Sequence, residues 1–114
     1  MKPMDISVSG LNAAGTKMEV TANNVANSLT DGFKKSRTVN QEEAQGGVSA
    51  TVDKVETQGP VVTDPDSGQQ RELSNVDLGQ EMINMIEAER HFEANLAALE
   101  TEEEMIGTLI DEIV

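Results

Sequence analysis

From Leu78 onward every seventh residue is large and apolar: Leu78, Met85, Phe92, Leu99, Ile106 and Ile113. The positions four further on read Met82, Glu89, Leu96, Glu103 and Ile110. A heptad pattern kept this long predicts one long helix with a coiled-coil-like seam, interrupted by two carboxylates. From Ser74 to Ile113 it would run roughly 60 Å at about 1.5 Å per residue. Ser74 and Asn75, ahead of Asp77, are the expected cap residues, and acidic side chains in the first turn suit the helix dipole. A thinner version of the same period opens the chain. Met4, Leu11, Met18 and Val25 are seven apart, with Ala14 and Thr21 at the offset that shares their face, which predicts an amphipathic helix from about Asp5 to Asn27. Gly10 and Gly15 each cost that helix about 1 kcal/mol relative to Ala, so it needs a partner to stay folded. Asn27-Ser28-Leu29-Thr30-Asp31-Gly32 then collects residues that end a helix and turn the chain.

Between the two periodic segments the chain is polar and broken by Gly46-Gly47, Gly59-Pro60, Asp64-Pro65 and Ser67-Gly68. Val48, Ala50 and Val52 alternate with polar residues, and Val61-Val62-Thr63 follows the Gly-Pro turn, which predicts a small β-hairpin with one covered face. Two strands alone are barely stable, so the hairpin must lean on a helix or a neighbouring molecule. The expected fold class is mainly α: two long terminal helices pairing as an antiparallel coiled-coil-like unit, with a short β-hairpin-containing middle segment. The expected units are 1–37, an N-terminal helix and bend; 38–73, a polar linker with the hairpin; and 74–114, the long C-terminal helix.

Composition sharpens this. In 114 residues there are two aromatic side chains, Phe33 and Phe92, so any core is built from Leu, Ile, Val, Met and Ala. Eight basic residues against 21 acidic ones give a net charge of -13, which disfavours nucleic acid and anionic membranes as partners. The excess is uneven: residues 1–40 sum to +2, 41–73 to -5 and 74–114 to -10. Cysteine is absent, which removes disulfides and thiolate chemistry. No apolar run reaches the roughly 18 residues of a membrane span, and Met1-Lys2-Pro3-Met4-Asp5 leads into no signal-peptide core. Direct membrane insertion is not expected, nor a cleaved signal.

Candidate chemistry is sparse. His91 is the single histidine, with Glu87 one turn before it. A carboxylate-bridged metal site in a bundle needs Glu and His three apart, and that position is Ala88. Asp64-Pro65-Asp66-Ser67-Gly68 resembles a calcium loop only in acidity: its glycine is misplaced and Asn75 stands where a bidentate Glu belongs, so a solvated turn is expected. No catalytic, metal or cofactor residue is therefore assigned. Lys34, Lys35 and Arg37 form a basic cluster without aromatic interleaving, expected to face carboxylates of the same or an adjacent subunit. Glu89 and Glu103, set in the seam, are expected either to bind a cationic partner or to select the pairing.

Ser9-Gly10-Leu11-Asn12-Ala13-Ala14, followed by Ala22-Asn23-Asn24-Val25-Ala26-Asn27-Ser28-Leu29-Thr30-Asp31-Gly32-Phe33-Lys34, resembles the N-terminal signature of the bacterial flagellar rod and hook axial proteins. Ser74-Asn75-Val76-Asp77-Leu78, the run Met85 to Asn95, and Thr101 to Met105 resemble that family's C-terminal signature. Glu89 stands where the family usually has Gln. The resemblance implies a non-enzymatic building block, exported by the flagellar type III apparatus, whose terminal helices lie side by side in a tube made with copies of itself and other axial proteins. Its location would be the flagellar basal body. Only about 40 residues separate the signatures, which implies a short, proximal-rod-like member.

The residues point the same way. The first helix is too short to cover the Leu78 to Ile113 seam, and each buried Leu, Ile, Met or Phe contributes about 1.5–3 kcal/mol, so packing between subunits is favoured. The assembly residues are expected to be Leu11, Met18 and Val25 with the second seam, plus a bend of Asn23, Asn24, Asn27, Gly32 and Phe33. There the amides can bind backbone groups left free by the helix end, and Phe33 can anchor the turn. The alternative is a soluble coiled-coil adaptor, or an export-related regulator, that binds one helical partner in a closed complex.

Overall fold

The computed structural model describes residues 2–113; the side chain of Ile113 lies outside the described residues. Six elements follow in chain order: helix α1 Pro3–Ala26, strands β1 Ser36–Glu42, β2 Val48–Lys54, β3 Val61–Thr63 and β4 Gln70–Glu72, and helix α2 Leu78–Ile113. The fold is mainly α, two terminal helices joined by a short β-containing middle.

Pro3 opens α1, where its missing N–H costs nothing and its fixed φ suits the first turn. The helix closes where the Asn27 N–H donates to the Asn23 carbonyl at 3.1 Å, and Gly32, at φ +72°, turns the chain in a region that favours glycine. Helix α2 starts later than Ser74 or Asn75 would place it. Asp77 is the cap: its Oδ1 accepts from the N–H groups of Gly79 at 3.0 Å and Gln80 at 3.3 Å. Ser74 Oγ instead accepts from the Val76 N–H. Asn75 is spent on a neighbouring loop.

The strands pair differently from the single hairpin expected. Strand β2 joins β1, in a register that sets Val39 opposite Thr51 and Glu42 opposite Val48, whereas β3 joins β4. Two hairpins result because Gly46 and Gly47, both at positive φ, make a tight reversal that leaves β2 beside the segment before it.

Helix α1 is the middle layer. It packs antiparallel to α2 on one side and against β1 and β2 on the other. Asn24, near its C-terminal end, binds Ser36 at the start of β1; Ser9, near its N-terminal end, accepts from the Val48 N–H at 3.1 Å. The first hairpin therefore runs back along α1, as its weak cohesion requires. The molecule is a rod of 80 × 24 × 13 Å.

Candidate functional site

The seam between the helices is made of small and polar side chains. On α1 the buried residues are Ser7, Gly10, Ala13, Ala14, Thr21 and Asn24. On α2 they are Glu81 and Ala88, with Asn95 and Glu102 half-buried on the same stripe. Direct contacts fix the register. Ser7 Oγ donates to Glu102 Oε1 at 3.1 Å, a Cβ on Gly10 would overlap the Asn95 amide, and the Lys17 ammonium pairs with Glu87 at 2.8 Å. Thr21 and Asn24 share a small cleft with Glu81 and Asn84. Small side chains let the two helices approach closely, and the gain is dispersion over backbone and Cβ atoms rather than burial of large side chains. The seam also carries a cost. Glu81 Oε2 and Glu102 Oε2 are buried with no hydrogen-bond partner among the described residues.

The expected seam positions divide accordingly. Leu11 and Met18 on α1, and Met85, Phe92 and Leu99 on α2, are half-buried at the border of the contact. Val25, Leu78, Met82, Leu96, Ile106 and Ile110 face outward, with Met82 64% exposed. Helix α2 turns toward α1 through the positions three after the Leu78 series, not four. Glu89 and Glu103 are consequently exposed, and the carboxylates on the intrachain face are Glu81 and Glu102 instead.

The bend is a polar clamp that joins the segment after α1 to the segment before α2. Asn24 is 1% exposed and binds Ser36 twice, donating from Nδ2 to its carbonyl at 2.7 Å and accepting from its N–H at 3.0 Å. Asn75 does similar work from the other signature. Its Oδ1 accepts from the Lys35 N–H at 2.7 Å, and its Nδ2 donates to the carbonyls of Val55 and Thr57, each at 2.9 Å. The Asn75 N–H in turn donates to the Phe33 carbonyl at 3.2 Å. Asn27 Nδ2 donates back to the Asn23 carbonyl at 3.0 Å, and the Asn23 side chain itself is exposed. Phe33 is half-buried.

Of the basic cluster, Lys34 meets a carboxylate of its own chain: it pairs with Glu72, whose Oε1 also accepts from the Gly59 N–H at 3.0 Å. The hydrogen bond from Lys34, then that from Gly59, hold the Glu72 carboxyl below the usual glutamate range. Lys35 and Arg37 form no ion pair among the described residues. Glu87 is lowered as well, by the hydrogen bond and charge of Lys17 and to a lesser extent by His91. It is thus a partner of Lys17 across the seam. Asp64 accepts from the Asp66 N–H at 2.9 Å in an exposed turn, which with the Ser67 hydroxyl lowers its carboxyl. Among the described residues no cluster of ligating side chains could hold a metal ion, and no helix is long and apolar enough to cross a membrane.

The two helices form a rod-shaped helical hairpin, with the end of α1 clamped to the start of α2 at a polar bend, the build of a structural subunit. Comparison supplies the family. Residues 4–34 match the family described as flagella basal body rod protein, and residues 69–112 match flagellar basal body rod FlgEFG protein C-terminal. Over 40 residues the chain is 40% identical to the flagellar hook protein FlgE of Escherichia coli and equally to that of Salmonella typhimurium, covering 35% of this chain and 10% of each relative. The matched segment thus spans about a tenth of the length of these curated relatives. With both terminal segments matched, in order, the chain belongs to the flagellar rod and hook axial protein family.

Proposed function

We propose that the chain is a structural subunit of the bacterial flagellar basal-body rod or hook, assembling through its terminal helices into a helical tube. The observation that carries this reading is the division of α2 into two faces. The intrachain face holds Glu81, Ala88, Asn95 and Glu102, while Leu78, Met82, Ile83, Ile86 and Leu96 stay 40–64% exposed on the same helix. A helix that turns small and polar residues inward and large apolar residues outward has its larger hydrophobic gain still to make, about 1.5–3 kcal/mol for each side chain covered. Val25 on α1, exposed at 39%, adds to the same uncovered surface.

The proposed partners are copies of this chain and other flagellar axial proteins, reached through the type III export apparatus. Lys35 and Arg37, on the basic N-terminal portion, are proposed to meet the acidic C-terminal helix of a neighbour. At physiological salt screening acts within about 8 Å, so such pairs count only in close packing.

Purified full-length protein and isolated basal bodies test this together. The protein should be found in the basal bodies and should associate in an open-ended, concentration-dependent way in sedimentation. A closed complex of fixed stoichiometry with one helical partner, and absence from basal bodies, would favour the adaptor reading instead.

A further inference from the structure

Helix α2 outruns α1. Ser7 meets Glu102, with about one turn of α1 before it and about three turns of α2 beyond. Roughly the last two turns of α2 therefore project past the end of the helix pair. Those turns and the one before them carry Met105, Ile106, Leu109 and Ile110, each 46–61% exposed, and the charges beyond Glu102 are purely acidic, Glu103, Glu104, Asp111 and Glu112.

At the opposite end of the rod, beside the bend, lies a groove of about 580 Å³ whose lining includes Leu29, Lys35, Val55, Pro60, Val76 and Leu78. Leu29 stands on its rim at 93% exposure, the most open large apolar side chain among the described residues. Lys35, a lining residue, forms no ion pair among the described residues. Asp77 also borders the groove, but its carboxylate caps α2.

We infer that the projecting end of α2 of one copy docks into the bend groove of the next, a head-to-tail contact that deepens the assembly reading and rests on it. Charge selects the pairing: two overhangs repel each other, whereas the Lys35 groove accepts one. The two surfaces sit at opposite ends of an 80 Å rod, so a molecule cannot satisfy its own groove. Contact between unlike patches is heterologous, and without ring closure it propagates as an open filament. This axial contact leaves the outward flank of Met82 and Ile86 free for lateral neighbours.

The absence of native cysteine makes the test clean. Leu29→Cys and Leu109→Cys, made separately in the full-length chain at exposed positions, are mixed under mild oxidation while light scattering follows association. The docking predicts that the mixed 29–109 disulfide dominates over either like pair. Adding Lys35→Glu to the Leu29→Cys chain should lower its yield several-fold, and Asp111→Lys with Glu112→Lys in the other chain should restore it. Association accompanied only by like-with-like disulfides, or a yield indifferent to the charge swap, overturns the docking and leaves self-assembly standing. Neither association nor cross-link overturns both.

Discussion

The two faces of α2 are built on opposite rules. Toward α1 it presents Ala88, fully buried, between Glu81 and Asn95; away from α1 it presents Met82, Ile83 and Ile86, all at least half exposed. In an ordinary helical hairpin the large residues would fill the seam and the small polar ones would meet water. Reversal teaches that the seam sets the distance and register of the helices, while the hydrophobic surface remains available for contacts between molecules. The seam and the bend clamp should thus govern whether the monomer folds. The flank should govern whether monomers associate.

The folding side of the molecule is most sensitive at Gly59, where a Cβ would overlap the Leu73 carbonyl oxygen. Gly59→Val should cost about 3 kcal/mol, seen as a lower urea midpoint, because backbone on both sides has to shift. A midpoint within experimental error of the parent would show that the clamp does not depend on this close approach. Asn24→Ala comes next. It leaves the Ser36 N–H and carbonyl without their partner and should cost about 2 kcal/mol in the same measurement. Asn24→Asp keeps the acceptor but sets a buried carboxylate against the Ser36 carbonyl, so it should cost at least as much.

Acid should act through the ion pairs. Glu72 and Glu87 have carboxyls lowered in the folded state, by Lys34 with Gly59 and by Lys17 respectively. A depressed folded value stabilises the protein above the ordinary glutamate range, and that contribution is lost as pH falls through the lowered folded value. Unfolding midpoints should therefore drop on acidification across and below that range. Glu72→Gln and Glu87→Gln should each flatten the dependence; an unchanged slope in both would remove the pairs from the account. Both pairs are accessible to solvent, so the effect is smaller than that of the substitutions at Gly59 and Asn24.

Much of the fold is legible in the sequence, because heptads at Met4 to Val25 and Leu78 to Ile113 mark helices whatever they pack against. Which face of each helix meets the other is not. Periodicity weighs large apolar residues, and the contact here is carried by Ser7, Gly10, Ala14 and Thr21 against Glu81, Ala88, Asn95 and Glu102. The signal that could have found it is the second heptad of small and polar residues three positions after the first. Strand β1, Ser36–Glu42, holds one apolar residue, Val39, and β4, Gln70–Glu72, holds none, so alternation could not reveal either. Their strand character comes from their partners' backbone. At the bend, the amides of Asn24 and Asn27 were readable as backbone ligands, but the reach of Asn75 across to Lys35 spans forty residues and is a product of the tertiary fold.

The outward flank gives the smallest expected change in stability and the most direct test. In a Met82→Ser, Ile86→Ser double variant, the thermal midpoint of the monomer should match the parent at low concentration, while sedimentation velocity should show that open-ended association is lost. A variant that unfolds as readily as the Asn24→Ala protein, or that associates as the parent does, would contradict the separation of the folding face from the assembling face.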